Sequence, residues 1–331
     1  MLPPSITGGT TLDLVDGQVV GHYVVVARVV DAPREATYRV RHLALGSSHL
    51  LRVVRASSPT AQRQLLAEGQ RQSAIRHENL HRVTDAVEMG GAVALIYEDL
   101  EFIALEAWLE QSQTLPWELG VEVMVGVTRA LGAVHRAGLV HRALDPSAVW
   151  IDVHSRPVAK VTGFRASTLA GDVGLDGVAT MGRAGYAAPE QLRDGRQVDA
   201  RADLFALGAL FFLVLARRPA FDGAEDFAVH AAVKAGTHPS LAALRPDLPA
   251  EVVQVVHELL EPDVDARPAS VPAVLARLAV AQRREQHRRL ALAMWAFAAP
   301  ALADGRNTRR FVDWALVASA VVALIVVVAV H

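Results

Sequence analysis

The chain has no cysteine. That excludes disulfides, thiolate metal sites and thiol nucleophiles together. It has two lysines, Lys160 and Lys234, so nearly all positive charge is carried by arginine. This skew, with abundant alanine and valine, points to a GC-rich bacterial genome and says nothing of function. No charge of one sign prevails: 33 basic against 35 acidic side chains leave a formal net charge of −2. Phosphate affinity needs a basic surface, so a dedicated nucleic-acid binder is set aside. The first residues lack the apolar core of a signal peptide. Residues 29–38 (VVDAPREATY) contain no glycine.

At 331 residues and 52% hydrophobic, the chain is long and apolar enough to bury a large core. Residues 1–18 (MLPPSITGGTTLDLVDGQ) are rich in Pro, Gly and Thr and read as a flexible tail. From Val19, short β-branched runs separated by turn residues predict strands: VVGHYVVVARVV, ATYRVRHLAL, HLLRVVRA and GGAVALIYEDL. Residues 61–75 space Leu65, Leu66 and Ile75 as on a half-exposed helix. After Leu105 the pattern is helical over 118–138, 199–216, 250–260 and 270–282. The segment 199–216 is almost wholly apolar after an acidic start, which predicts a buried helix. A β-rich lobe (about 19–99) followed by a helical lobe (about 100–280) makes an α+β fold without internal repeats.

Residues 315–330 (ALVASAVVALIVVVAV) form an uninterrupted apolar run. At about 1.5 Å per residue it extends roughly 24 Å, and Phe311 and Trp314 as interface residues bring it towards the bilayer core of about 30 Å. The pattern predicts a single transmembrane helix over 313–331. Arg306, Arg309 and Arg310 precede the run and only His331 follows, which places the remaining chain in the cytoplasm, at the inner or plasma membrane. Residues 281–312 form a basic and apolar juxtamembrane segment. Within it, 290–303 (LALAMWAFAAPALA) is too short to span and is broken by Pro300, so it reads as an interfacial helix, with a re-entrant hairpin as the alternative. Arg283, Arg284, Arg288 and Arg289 fit a solvated helix face or a membrane surface equally.

Several ordered motifs carry a resemblance. Residues 140–165 read VHRALDPSAVWIDVHSRPVAKVTGFR; GYAAPEQL, DARADLFALG and EPDVDARPAS follow in turn. Over roughly 19–280 the chain resembles bacterial Hanks-type serine/threonine protein kinases. The resemblance implies a two-lobed kinase-like fold held by His141, Arg142, Phe164, Pro189, Glu190, Asp203, Gly208 and Arg267, with Arg267 pairing Glu190. It also marks departures. Ala143 stands at the catalytic Asp, Asp145 at the lysine that follows it, Ala148 at the metal-binding Asn and Gly163 at the DFG Asp. Arg52 stands at the strand lysine, Glu68 at the helix glutamate that pairs with it, and Glu98 at a further ATP-site position. Arg183 replaces a threonine.

Phosphoryl transfer is positioning plus charge stabilisation by metals and cations. Magnesium needs oxygen ligands, which Ala148 and Gly163 do not supply. Ala143 cannot take a proton or orient a hydroxyl. Asp31 and Glu35 bring negative charge where a glycine-rich loop would approach phosphate. Arginine at 52 keeps charge but not the point geometry of an ammonium. The resemblance therefore implies a membrane-anchored pseudokinase, without cofactor, that acts as a scaffold or allosteric partner of an active kinase or another signalling protein. The alternative is a weakly active kinase using Arg52, Asp145 and Glu68 with ATP and magnesium. Asp145 otherwise reads as a solvated loop aspartate. Thr168 and Thr180 fall in the activation segment, where phosphorylation would pair with Arg142. A third reading comes from His77-Glu78-Asn79-Leu80-His81, which matches the H-E-x-x-H zinc hydrolase motif but lacks a third ligand and sits at a turn.

Overall fold

The structure, a computed structural model, describes residues 13–284 apart from 32–34, 56–57, 90–91, 100–101, 112–115, 153–156, 165–166, 170–182 and 195–197. The chain divides at Leu278, and the unit Met1–Leu278 carries both lobes.

The alternation of β-branched residues builds an antiparallel sheet of six strands, β1 (Val19–Val20), β2 (Tyr23–Asp31), β3 (Glu35–His42), β4 (Ser48–Val54), β5 (Val83–Met89) and β6 (Ala92–Glu98). Their order is β1-β2-β3-β4-β6-β5. Because side chains alternate between faces, the sheet has two cores. Tyr23, Val25, Ala36, Tyr38, Val40, Leu51, Val53, Ala94 and Ile96 cluster on one face. Leu50, Val54, Leu95 and Tyr97 cluster on the other with Leu65 of helix α1 (Pro59–Ser73). Ser58 caps α1, its side chain accepting from the Ala61 N–H at 3.2 Å.

Residues 13–18 correct the reading of a flexible tail. Leu14 is buried in the first cluster, and its N–H donates to the Tyr38 hydroxyl at 3.0 Å. The Gly17 N–H donates to the Val25 carbonyl, and the Val25 N–H to that of Gln18, each at 2.9 Å. One buried leucine among turn residues leaves no periodic signal in a sequence.

The second lobe holds α2 (Leu105–Gln111), α3 (Trp117–Arg136), α4 (Pro189–Arg193), α5 (Arg201–Ala216), α6 (Asp226–Ala235), α7 (Leu241–Leu244) and α8 (Ala250–Leu259), and helical residues from 271 onward. Short strands β7 (Phe102–Ala104), β9 (Val149–Asp152) and β10 (Val158–Val161) form a sheet in the order β10-β9-β7, while β8 (Leu139–Val140) pairs with β11 (Thr168–Leu169). A 3-10 turn, Pro146–Ala148, precedes β9. The apolar segment predicted as a buried helix is α5, which packs between α3 and α8. The two lobes are clasped by the 77–81 turn. The Val161 N–H donates to the Asn79 carbonyl at 2.8 Å, the His81 N–H to the Val161 carbonyl at 2.9 Å, and Asn79 Nδ2 to the Ala159 carbonyl at 2.9 Å.

Among the described residues no helix is long and apolar enough to cross a membrane. The run predicted to span, the segment 290–303 and Thr180 lie outside the described residues.

Gly208 sits where α5 crosses α8. A Cβ there would lie 2.6 Å from the Cβ of Leu259 and 3.1 Å from its backbone carbon, which cannot swing away. Gly208→Ala gains about 1 kcal/mol of helix propensity, but overpacking costs about 1–3 kcal/mol. Urea denaturation is expected to show a net loss of stability.

Candidate functional site

Strand register assembles the first half of the site. In the β3–β4 pairing Thr37 faces Arg52 and Glu35 faces Val54, and in the β4–β6 pairing Arg52 faces Leu95 and Leu50 faces Tyr97. Glu35, Arg52 and Tyr97 are thus diagonal neighbours on one face, within reach of long side chains. Glu68 rises from α1 on the same side. Arg52 Nε and Nη2 donate to Glu35 Oε2 at 3.0 and 2.8 Å, and Nη1 donates to Glu68 Oε1 at 2.7 Å and to the Tyr97 hydroxyl at 3.3 Å. A guanidinium has five N–H donors in a fixed fork, so this fork is nearly filled from within. Burial lowers the Arg52 pKa, but Glu68, Tyr97 and Glu35 outweigh it and hold the group charged. Burial pushes the Tyr97 hydroxyl up to about 12, so it stays protonated. Arg52 faces two carboxylates, and Arg71, one turn beyond Glu68 on α1, bears electrostatically on Glu68 as a second cation. Glu68 is fully buried, and its Oε2 has no hydrogen-bond partner among the described residues.

Glu98 is braced elsewhere. Lys160 Nζ lies 2.9 Å from its Oε1, and the His81 ring bonds its backbone carbonyl at 3.0 Å.

The second half is the loop after β8. Asp203 of α5, 1% exposed, accepts the backbone N–H groups of His141 and Arg142, each at 2.8 Å, and His135 Nε2 at 2.8 Å. Burial raises the Asp203 pKa, but His135, His141 and these hydrogen bonds outweigh it and hold the carboxyl below its ordinary value. The Arg142 backbone is left-handed, with φ 65°, and its carbonyl accepts from Gln191 Nε2 at 3.0 Å. The His141 and Phe164 rings meet edge to face at 5.0 Å. Arg267 grips Glu190 with two bonds of 2.6 and 2.8 Å. Pro189 begins α4.

The positions expected to carry chemistry hold none of its groups. Gly163 has φ +86°, and a Cβ there would lie 3.5 Å from the Cβ of Ala148. The two metal-ligand positions of the resembled family therefore adjoin, with no side-chain oxygen on either. Ala143 is half-buried. Asp145 is a half-exposed loop aspartate. Its Oδ1 accepts the Ser147 N–H at 2.8 Å and the Ser147 hydroxyl at 2.6 Å, capping the 3-10 turn. Arg183 pairs with Glu106. Thr168 lies in β11, its backbone opposite Val140.

The zinc motif has no helix beneath it. Helix α1 ends at Ser73, and residues 77–80 form a turn. His77 Nδ1 accepts the Asn79 N–H at 3.1 Å. Two histidines of this spacing share a face only on a helix. Among the described residues no group of three His, Cys, Asp or Glu side chains is placed to hold a metal.

One link was not anticipated from sequence. Arg71, one helical turn beyond Glu68, donates from Nε to Ser167 Oγ at 2.9 Å and from Nη2 to the Phe164 carbonyl at 3.4 Å. Its spacing from Glu68 was readable as the same helix face, but nothing in the sequence named its partner 96 residues on.

A β-rich lobe with a buried cation–glutamate pair, joined to a helical lobe with a carboxylate-tethered His-Arg loop, defines a protein-kinase-like domain. The protein kinase domain profile matches residues 36–278, more than half of the chain, and the chain belongs to this family. It is a member of the bacterial Hanks-type serine/threonine kinase group. It is similar to a protein of Streptomyces coelicolor named "Probable serine/threonine-protein kinase", 29% identical over 70% of this chain and 35% of that one. Serine/threonine-protein kinase Pkn1 of Myxococcus xanthus is 30% identical over 79% of this chain and 38% of its own length. The DNA damage-responsive serine/threonine-protein kinase RqkA of Deinococcus radiodurans is 38% identical over 47% of this chain and 23% of its own. The chain thus spans little more than a third of these relatives at most.

The Asp203 tether has a pH signature. A carboxyl whose folded pKa lies below its unfolded value stabilises the fold fully above the unfolded value, near 4, and loses that contribution as pH falls through the folded value. Asp203→Asn removes the charge, leaves buried donors without an acceptor, and is expected to cost about 3–5 kcal/mol at neutral pH. Denaturation at neutral pH and at about pH 3 checks this: the variant's difference from the parent chain narrows in acid.

Proposed function

We propose that this chain is a catalytically inactive, membrane-anchored member of the kinase family that acts by binding a protein partner, an active kinase or another signalling protein. The observation that carries the reading is the filled fork of Arg52. The strand cation that engages nucleotide phosphates in the resembled family here spends its donors on Glu35, Glu68 and Tyr97. A triphosphate engaging Arg52 would have to displace Glu35, whose Oε2 takes two of its donors. The adjoining Ala148 and Gly163 give magnesium no side-chain ligand, and Gly163 has a backbone conformation that an aspartate adopts only under strain. These residues do not fit a magnesium–nucleotide complex. The apolar run at 315–330, flanked on one side by arginines, supports the membrane anchor and a cytoplasmic domain.

A second reading has its own observation. Glu68 pairs with the strand cation at 2.7 Å and the His141–Phe164 stack is intact, so the frame has the arrangement a working enzyme uses. That favours a weakly active serine/threonine kinase using Arg52, Glu68 and Asp145 with ATP and magnesium.

Melting of the full chain in detergent, with ATP and with or without magnesium or manganese, separates the two. A ligand well above its Kd stabilises a native state by about 3 kcal/mol, which moves Tm by roughly 5–10 °C. The inactive reading expects no shift and no transfer of radiolabelled phosphate. A metal-dependent shift, with transfer lost in Asp145→Asn, establishes the weak kinase instead. For the anchor, a tag at the N-terminus is expected to survive protease added to intact cells and to be cut once the membrane is opened.

A further inference from the structure

The turn that joins the lobes also makes a surface the cleft does not use. Residues 75–82 enclose a cavity of about 360 Å³ lined by Ile75, Arg76, His77, Glu78, Leu80 and Arg82. Leu80 is buried and Ile75 half-buried, which gives the cavity an apolar floor. Arg76 and Arg82 are exposed on its rim. Two further arginines, Arg129 and Arg136, lie two turns apart on α3, both exposed, and both bear electrostatically on His77. His77 is held below its ordinary pKa first by burial, and Arg136, Arg129 and Lys160 lower it further against the opposing pull of Glu78. Lys160 is already neutralised by Glu98 at 2.9 Å. The four arginines have no ion-pair partner among the described residues, and Glu78 is the one acid lining the cavity. In a chain with an excess of acidic side chains, Arg76 and Arg82 on the rim, with Arg129 and Arg136 within electrostatic reach of His77 in its lining, outnumber Glu78 and give this face a local positive field.

We infer that this face docks an acidic segment of a partner protein, with an apolar side chain seated over Ile75 and Leu80 and carboxylates against Arg76, Arg82, Arg129 and Arg136. Charge complementarity sets the sign of the partner, since arginine forks pair carboxylates bidentately. Concavity sets its shape: a planar lipid surface meets protruding cations and leaves an apolar cavity unfilled, whereas an extended segment fills it. The inference does not rest on an empty nucleotide cleft, and nucleotide binding in the preceding experiment would leave it standing.

The test uses the full chain in phosphatidylcholine nanodiscs and a fluorescent peptide alternating glutamate with leucine, read by anisotropy. Saturable binding is expected, weakening as salt screens the rim. Arg76→Ala and Arg136→Ala should each weaken it by up to roughly fivefold, the range of an exposed ion pair, with Tm unchanged because both side chains are on the surface. A peptide with glycine in place of leucine should bind more weakly. Absence of saturable binding, equal affinity in the doubly substituted chain, or equal affinity for the glycine peptide overturns the inference. A face that ignores the peptide while the same substitutions release the chain from phosphatidylglycerol vesicles is a lipid contact, which overturns it too.

Discussion

A single buried carboxylate organises the helical lobe. Asp203 accepts two consecutive backbone N–H groups and an imidazole, and so fixes the loop after β8 against α5 and α3 at once. Beside that tether Arg142 holds a left-handed backbone, a conformation that costs a non-glycine residue about 1–3 kcal/mol and that the bond from its N–H to Asp203 helps to offset. The strained carbonyl is then taken up by Gln191, and the helix bearing Gln191 is locked by the Glu190–Arg267 pair. The frame is thus a chain of polar contacts laid over an apolar core. Its members bond one another and the backbone, so the frame is held by contacts internal to the helical lobe.

Arg52 is the counterpart in the β-rich lobe, and the contrast between the two centres is informative. The donors to Asp203 come mostly from the backbone, whose positions the fold dictates. The acceptors around Arg52 are side chains, free to differ from one sequence to the next. In a family whose cation serves a mobile ligand, Glu35 supplies a fixed anion at a strand position diagonal to it. A cation so far removed from water is held only where carboxylates compensate it, because an unpaired buried charge is far costlier than a paired one.

Much of this was legible before any coordinates. The strands and the buried helix expected over 199–216, observed as Arg201–Ala216, follow from periodic patterns, while the Glu190–Arg267 pair is what the resemblance implies. The resemblance sets Arg52 beside Glu68, and the two meet at 2.7 Å. What the sequence hid were contacts set by register and turns. Glu35 reads as one acid in a loop without glycine until the β3–β4 pairing puts it beside Arg52. Asp145 reads as a free carboxylate until the 3-10 turn closes over it. Leu14 has no periodic neighbours to announce that it is core. The H-E-x-x-H string sits at the turn expected of it: the letters match a motif while the backbone, bent into an interlobe clasp, denies them a common face.

The Arg71 bridge has a mechanical corollary. One rigid helix presents Glu68 to the sheet and Arg71 to the carbonyl of Phe164 and the hydroxyl of Ser167. The helix therefore carries one attachment to each lobe, and the span between Glu68 and Arg71 sets the distance at which the sheet and the Phe164–Ser167 segment are held apart.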